Sequence, residues 1–302
     1  MEIISFHFLV VQQRLRKGNP RMKVLQDAKP IWAATVQMTS TTDWESNLSR
    51  AQGYVEEAVD AGARFIALPE NYGFLGRESD KLPHAQPVEG GPFLEPLRKL
   101  AQKHKVGILA GSIPETGPDA EHVYNTSVMI GTDGQTLASY RKIHLFDIDI
   151  PGEVSFQESS AVTAGDQAVW VDFEGWKIGL TVCYDLRFPH LYQALVDGGA
   201  SILTVPAAFT LQTGKDHWEV LLRARAIENQ CYVVAPDQFG HHSKGRASWG
   251  KSLIADPWGT LVALMPEKEG FAMARLDPDD VRRVRRGLPC LKHRKPLQKD
   301  GT

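Results

Sequence analysis

A carboxylate, an ammonium and a thiol, those of Glu70, Lys142 and Cys183, each lie near the end of an apolar segment that is typical of a buried strand. If the three strand ends meet at one edge of a sheet, the groups can share the work of a nucleophilic reaction. The carboxylate would be a general base, the ammonium would stabilise an oxyanion and the thiolate would attack. Each residue alone is weak evidence, because a single Glu or Lys at a strand end is usually just solvated.

Cys183 is the most informative of the three. It lies near the end of the alternating apolar run 176–185, and Phe188-Pro189 opens a helix that we predict from His190 to Val196. A thiol at such a strand-to-helix turn is lifted out of the sheet, and nearby backbone N–H donors favour thiolate and oxyanion. The position alone supports a nucleophile and a buried structural cysteine about equally.

Strands and helices alternate along the chain. The apolar patterns predict helices over Asn47–Ala61, Phe93–His104 and His217–Gln230, and strands over Ile31–Gln37, Ala63–Asn71, Val106–Gly111, Val123–Ile130, Leu137–Leu145, Ser201–Pro206, Cys231–Ala235, Lys251–Ala255, Leu261–Leu264 and Phe271–Leu276. Thr132–Gln135 has the composition of a hairpin turn. Parallel and hairpin connections in one chain predict an α/β fold with two stacked sheets and helices outside them.

The chain resembles the carbon–nitrogen hydrolase (nitrilase) superfamily in the blocks that carry the three residues. These blocks are FIALPEN (65–71), YRKIHL (140–145) and VCYDLRFP (182–189), and the resemblance runs from about Ile31 to about Pro296. It is strongest to the branch that contains deaminated-glutathione amidase and omega-amidase, through FDIDIPG (146–152), FQES (156–159) and the long run HWEVLLRARAIENQCYV (217–233). The resemblance implies a four-layer α-β-β-α sandwich and an amidase.

The resemblance also implies roles for individual residues. Glu70 matches the family's general base, Lys142 its lysine and Cys183 its nucleophile. Glu158 matches a second glutamate that lies beside the lysine and the substrate amide; without the resemblance it reads as a loop carboxylate. Lys142 and the backbone N–H of Tyr184 would hold the oxyanion. The implied reaction is amide hydrolysis through a thioester, with no metal or organic cofactor. A homodimer or larger homo-oligomer is also implied, with a contact near the helix after Cys183.

Arg187 bears on the choice of substrate. It is either a bidentate clamp for a carboxylate or a structural partner of Asp185 or another carboxylate. As a clamp it predicts an acid-bearing amide. The resemblance then implies a 2-oxo acid with a distal amide: deaminated glutathione, cleaved to 2-oxoglutarate and cysteinylglycine, or as alternatives 2-oxoglutaramate or a substrate of another aliphatic amidase or nitrilase. Segments 217–233 and 238–248 favour the first substrate, whereas 146–152 and 156–159 favour the second.

Composition limits the possible classes of protein. The 302 residues are 42% hydrophobic and carry 34 basic against 36 acidic residues, so the chain can bury a core and its charge does not indicate nucleic-acid binding. Three widely spaced cysteines favour a reducing cytoplasm over a disulfide framework or a CxxC metal site. No apolar run approaches the roughly 20 residues of a membrane span. We expect one domain over 31–296, a poorly ordered or artefactual leader over 1–30 and a tail over 297–302.

Several other signals are less informative. Segment 245–252 (GRASWGKS) matches the phosphate-loop pattern, but a short strand and Pro257 follow it where the mechanism needs a helix, so we expect no nucleotide binding. The pair His241-His242 lacks further metal ligands and reads as a polar loop. His144 is an alternative base, less favoured than Glu70. The basic run 281–286 reads as a solvated helix face. A catalytically silent binding protein remains a rival hypothesis, against which the complete Glu–Lys–Cys set argues.

Overall fold

The computed structural model describes residue 25 and residues 27–150, 154–243 and 245–295. Its strands are β1 (Ile31–Gln37), β2 (Phe65–Ala67), β3 (Gly107–Thr116), β4 (Val123–Ile130), β5 (Thr136–Arg141), β6 (Asp147–Ile150), β7 (Val154–Gln157), β8 (Val162–Thr163), β9 (Val169–Phe173), β10 (Trp176–Leu180), β11 (Ile202–Thr204), β12 (Tyr232–Ala235), β13 (Phe239–Ser243), β14 (Arg246–Trp249), β15 (Leu253–Ala255), β16 (Leu261–Leu264) and β17 (Gly270–Leu276).

The helices are α1 (Trp44–Asp60), α2 (Glu95–His104), α3 (Pro189–Asp197), α4 (Leu211–Thr213), α5 (Glu219–Asn229), α6 (Pro278–Gly287) and α7 (Cys290–His293). Turns of 3₁₀-helix cover Glu78–His84, Glu158–Ser160 and Cys183–Arg187, and the π-helical turn Gly214–Trp218 joins α4 to α5. The main predicted strands and helices are present, with bounds that differ by a few residues. The π-helical turn occupies the start of the helix that we predicted from His217.

Two large sheets form the framework. The first has the order β17-β1-β2-β3-β4-β5, with β8 beside β4, and the second has the order β16-β15-β12-β11-β10-β9. The central strands β1, β2 and β3 pair in parallel, as do β10, β11 and β12. Strands β17, β15 and β16 pair antiparallel, so the chain contains both the parallel and the antiparallel pairing that we predicted.

Alternating side chains of the first sheet belong to different cores. In β2, Phe65 and Ala67 pack in one core with Ile178 and Ile202 of the second sheet. Ile66, between them, packs in the other core, together with residues of helices α1 and α2. Because successive side chains of a strand point to opposite faces, this division places the second sheet on one face and the helices on the other. Burying each large apolar side chain contributes about 1.5–3 kcal/mol.

The second sheet is covered in the same way. Leu191 and Leu195 of α3, and Leu222 and Ala226 of α5, are buried in the core that contains the strands of this sheet. Helix–sheet–sheet–helix is the predicted four-layer sandwich, and the fold prediction is confirmed. Within the described part of the chain, no helix has both the length and the apolar character needed to cross a membrane.

The packed chain begins before the predicted boundary at Ile31. Leu25 and Ala28 are buried, and Trp176 Nε1 donates to the Lys29 carbonyl at 2.9 Å. The composition of the leader carries no signal for this hydrogen bond, which joins it to a residue far along the chain. Residues 1–24 and 26 and the tail from 296 lie outside the described residues, so the expectations for them stay predictions.

Candidate active site

The ends of three strands meet at one edge of the sandwich. Strand β5 runs in the same direction as β3, because both pair antiparallel with β4. Glu70 follows the end of β2, Lys142 follows directly after β5, and Cys183 follows the end of β10. The structure therefore brings together the three residues singled out by their strand ends, although Lys142 lies just outside its strand and not within it.

Cys183 has an unusual backbone conformation. Its φ is +48°, and it is the first residue of the 3₁₀ turn Cys183–Arg187. Its backbone N–H donates to the Pro206 carbonyl at 2.8 Å, which ties the turn to the end of β11. A residue other than glycine with positive φ is uncommon and costs free energy, so the surrounding contacts must hold it in place.

The buried carboxylate of Asp185 supplies those contacts. Asp185 Oδ2 accepts from the Val182 N–H at 2.9 Å and from the Tyr140 hydroxyl at 2.7 Å. Its other oxygen lies 2.7 Å from His144 Nδ1. These bonds join the Cys183 turn to the end of β5. The His144 ring also stacks on Phe188, with centroids 3.7 Å apart. The contacts of His144 thus point to a role in holding the turn.

Three charged side chains form a buried ion cluster, consisting of Glu70, Lys142 and Glu158. The Lys142 ammonium lies 3.0 Å from Glu70 Oε1 and 2.8 Å from Glu158 Oε2. Burial alone would discharge the lysine, but the charges of Glu158 and Glu70 hold its pKa well above the usual value. Burial would likewise raise the pKa of Glu158, yet the charges of Lys142 and Lys81 lower it to about 2. The cluster therefore carries two carboxylates around one ammonium.

Asn125 holds both carboxylates of the cluster. Its Nδ2 donates to Glu70 Oε1 at 2.9 Å and to Glu158 Oε1 at 3.0 Å. Because β4 is antiparallel to β3, Asn125 near its beginning reaches the same edge as the strand ends. In the sequence, Asn125 stands only in an Asn-Thr-Ser triplet that reads as a glycosylation pattern, so its position in the site was missed. Its place on one of the two strands between the Glu70 and Lys142 strands was the one available signal.

The Cys183 thiol lies beside the Glu70 carboxylate. Burial and the charge of Glu70 raise the pKa of Cys183 well above its usual value, although Lys142 and the Ala208 N–H act in the other direction. The Ala208 N–H favours the thiolate, as expected of backbone donors, but desolvation and a like charge outweigh it. Glu70 Oε2 also accepts from the Ala208 N–H at 2.9 Å, which orients the carboxylate. The thiol keeps its proton next to a group that can accept it.

A cavity of about 300 Å³ is lined by Cys183 and the ion cluster and, among others, by Tyr184 and Arg187. The Asp185 carboxylate is hydrogen-bonded to Val182, Tyr140 and His144. Arg187 instead contacts a histidine and an aromatic ring. Arg187 Nη1 lies 3.2 Å from His217 Nδ1, and the guanidinium lies 5.2 Å from the Phe209 ring centroid. The sequence-based alternative of a salt bridge to Asp185 is thus not what the structure contains.

Comparison with known proteins adds to this geometry. Residues 32–286 match the carbon–nitrogen hydrolase family. A deaminated glutathione amidase of Synechocystis sp. is 45% identical over 269 residues, which cover 88% of this chain and 98% of the relative.

The chain belongs to the carbon–nitrogen hydrolase family.

Two further relatives agree with this assignment. The chloroplastic omega-amidase of Arabidopsis thaliana is 37% identical over 290 residues, which cover 92% of this chain and 78% of the relative. The crystal structure of Saccharomyces cerevisiae Nit3, a member of branch 10 of the nitrilase superfamily, has a TM-score of 0.80 and 30% identity and covers 88% of this chain and 96% of that one. The predicted family, branch and reaction class, a carbon–nitrogen hydrolase, are confirmed.

The structure also shows where the less informative sequence motifs of this carbon–nitrogen hydrolase lie. Segment 245–252 forms β14 and a turn that leads into β15, in place of the helix that a phosphate loop needs. The prediction of a polar loop for His241-His242 is wrong, because both residues lie in β13, which pairs with β14. The ring nitrogens of His242 contact the Ser40 carbonyl at 2.8 Å and the Ser248 hydroxyl at 2.9 Å. Among the described residues, no group of three or more His, Cys, Asp or Glu side chains is arranged to hold a metal ion. The basic run lies in α6, where Val281 and Val284 face inward.

Proposed function

We propose that this carbon–nitrogen hydrolase cleaves amides through a thioester on Cys183. The observation that supports the proposal most strongly is the convergence of the Cys183 thiol, the Glu70 carboxylate and the Lys142 ammonium in one buried cavity. Their exposed fractions are 7%, 3% and 2%, so the groups would act on each other with little screening by water.

The proposed acylation step starts from a neutral thiol. Glu70 accepts the thiol proton while the Cys183 sulfur attacks the amide carbonyl carbon. The carbonyl oxygen becomes an oxyanion, which the Lys142 ammonium and the Tyr184 backbone N–H stabilise. When the tetrahedral intermediate collapses, the C–N bond breaks and Glu70 returns the proton to the leaving amine. The raised pKa of Cys183 makes this transfer to Glu70 necessary for attack.

Deacylation repeats the proton transfer with water. Glu70 removes a proton from a water molecule that attacks the thioester, and the same oxyanion contacts apply. Collapse releases the carboxylic acid and returns the proton to the Cys183 sulfur. Glu158 would orient the amide nitrogen and balance the charge of Lys142, to which it lies 2.8 Å away. Every step uses groups of the chain and one water molecule.

We further propose that the substrate is an acid-bearing 2-oxo amide, with deaminated glutathione as the first candidate. Arg187 lines the cavity and has aromatic and histidine neighbours, so its guanidinium can bind a carboxylate bidentately. The 45% identical deaminated glutathione amidase supports this candidate. The alternative, 2-oxoglutaramate, is favoured by segments 146–152 and 156–159 and by the 37% identical omega-amidase.

A product-release assay over 2-oxo amides, neutral aliphatic amides and nitriles tests the substrate class. We expect hydrolysis of deaminated glutathione, with release of cysteinylglycine, and weaker turnover of neutral amides and nitriles. Arg187→Lys keeps the charge but loses the planar fork, so kcat/KM should fall roughly ten- to a hundred-fold for the acidic amide and little for a neutral one. Equal losses on both substrates would make Arg187 a structural residue.

Assembly and location complete the proposal. Val220 and Ile227 lie on α5 with 67% and 48% exposure, and Trp258 is 61% exposed; its neighbour Gly259 lies against Ile227. Helix α5 contacts α3, the helix that follows Cys183. Exposed apolar side chains favour a contact between subunits in this region, so we propose a homodimer or larger homo-oligomer. A monomer in light scattering at micromolar concentration would contradict it.

The three free cysteines favour a cytoplasmic location, to be checked by cell fractionation.

A further inference from the structure

The cavity has a second group of cationic side chains, on a different wall from Arg187. The Lys81 ammonium lies 2.6 Å from Glu78 Oε2, and Arg246 Nη1 lies 3.1 Å from Glu78 Oε1. Arg246 Nη1 also donates to the Gly76 carbonyl at 2.7 Å. All three charged side chains line the cavity, and Lys81 is only 3% exposed. One carboxylate, that of Glu78, therefore pairs with both cations, and the charge of Lys81 also acts on Glu158 of the ion cluster.

The neighbours of Lys81 and Arg246 show which part of the cavity these two cations occupy. The turn Glu78–His84, which carries Lys81, contacts the turn Glu158–Ser160, so Lys81 lies on the Glu158 side of the ion cluster. Against the effect of burial, the charges of Lys142 and then Lys81 lower the pKa of Glu158. The Arg246 guanidinium lies 5.5 Å from the Phe156 ring centroid. Arg187 instead lies against Phe209 and His217. The cavity thus has cationic side chains on two walls, Arg187 on one and the Lys81–Arg246 pair on the other. The reacting groups line the same cavity.

Among the described residues, the contacts of Lys81 and Arg246 leave N–H donors of both side chains for a ligand. An ammonium has three N–H donors and a guanidinium has five. The contacts with Glu78 and Gly76 use one donor of Lys81 and two of Arg246. A carboxylate that enters the cavity would accept hydrogen bonds from the remaining donors. A guanidinium that lines a cavity, as that of Arg246 does, can bind a carboxylate through two parallel N–H donors.

We propose that the Lys81–Arg246 pair binds a second carboxylate of the substrate, so that the site is built for an amide with two acidic groups. The inference rests on the proposed function, in which Arg187 binds the first carboxylate. Deaminated glutathione has a carboxylate on each side of its scissile amide, that of the 2-oxo acid and that of the glycine. 2-Oxoglutaramate has only one carboxylate. The second cationic group therefore favours the larger, dianionic substrate.

A matched pair of substrates tests the proposal. Deaminated glutathione is compared with its glycinamide form, in which a carboxamide of the same size replaces the glycine carboxylate. We expect wild-type kcat/KM to favour the acid by roughly ten- to a hundred-fold. In Arg246→Gln and in Lys81→Met, this ratio should shrink to a few-fold. Arg246→Lys keeps the charge without the planar fork and should give an intermediate ratio.

The outcomes separate this inference from the proposed function. Equal kcat/KM of the wild type for the acid and its glycinamide form would overturn the inference and leave the amidase proposal standing, as would Arg246→Gln with an unchanged ratio. Failure of the folded wild type to hydrolyse either form or 2-oxoglutaramate would overturn the proposed function itself. Arg283→Gln removes an exposed arginine of α6 that is paired with Asp280, and as a control it should keep the wild-type ratio. If Lys81→Met does not fold, the Arg246 variants and the wild-type ratio decide the question.

Discussion

Two cysteines of this protein, Cys183 and Cys231, are alike in burial and in the direction of their pKa shift, but their neighbouring groups differ. Both are buried, and burial raises the pKa of each thiol above its usual value. Cys231 directly precedes β12. Its sulfur lies 3.3 Å from the Ala200 carbonyl and 3.1 Å from an Arg285 nitrogen. Cys183 has positive φ, faces a cavity and lies beside the Glu70 carboxylate.

The difference shows what makes a thiol useful for catalysis. Depth of burial and a raised pKa do not separate the two residues. A base within reach, an open space for a substrate and a strained turn do separate them. Cys231 has a neighbouring cation, which alone would activate a thiol, but its sulfur is packed between backbone carbonyls. Its contacts are those of a small core residue.

Replacing each cysteine by alanine tests the comparison most directly. Cys183→Ala should abolish turnover, with a loss on the order of 10⁴-fold or more, because no other group can form the thioester. Cys231→Ala should keep kcat within a few-fold of wild type. Steady-state kinetics on a 2-oxo amide, with circular dichroism to confirm folding, gives the answer. Comparable losses in the two variants would erase the distinction.

Removing the neighbours of Cys183 should have the next largest effect. Glu70→Gln and Lys142→Ala should each lower kcat by about 10²- to 10⁴-fold, since one loses the base and the other an oxyanion contact. Removing the neighbour of the second thiol by Arg285→Gln is the matched control and should change kcat little. A Glu70 or Lys142 variant within a few-fold of wild type would exclude that residue from the mechanism.

The ion cluster near Cys183 should also make stability depend on pH. The pKa of Glu158 falls from 4.5 to about 2 on folding. A depressed pKa in the folded state adds stability above about pH 4.5, and this stability is lost as the pH falls toward 2. The loss should be on the order of 3 kcal/mol. Urea unfolding at pH 6 and pH 3 should show a smaller drop in Glu158→Gln, whereas Cys231→Ala should keep the wild-type drop. An undiminished drop in Glu158→Gln would refute this account.

The smallest expected effect concerns the backbone at the two cysteines. Glycine adopts positive φ at little cost, so Cys183→Gly should be more stable than Cys183→Ala by about 1 kcal/mol. Cys231 is not among the residues with positive φ, and there the order should be reversed by a similar amount. The free energies of unfolding of the four variants are the measurement. The same order at both positions would mean that the Cys183 turn is not strained.

Much of the fold and of the site was accessible from the sequence. Strands such as Ile31–Gln37 and Val123–Ile130 have the predicted bounds, because apolar alternation depends only on neighbours in the chain. Glu70, Lys142 and Cys183 were accessible because each follows such a strand. Their roles in catalysis, together with those of Glu158, Tyr184 and Arg187, remain proposals that the kinetic measurements address.

Other features were decided only by the tertiary structure. Asn125 bridges Glu70 and Glu158 because an antiparallel strand brings its beginning to the same edge. Lys81 and Arg246 both form ion pairs with Glu78, although they lie 165 positions apart in the chain. Sequence spacing carries no signal for such a contact. Burial and the charge of Glu70 raise the pKa of Cys183 and outweigh the backbone donor that was expected from its local turn. Local pattern thus determined which side chains lie at strand ends, whereas their partners, burial and charge state depended on long-range packing, because desolvation and Coulomb interactions act through space.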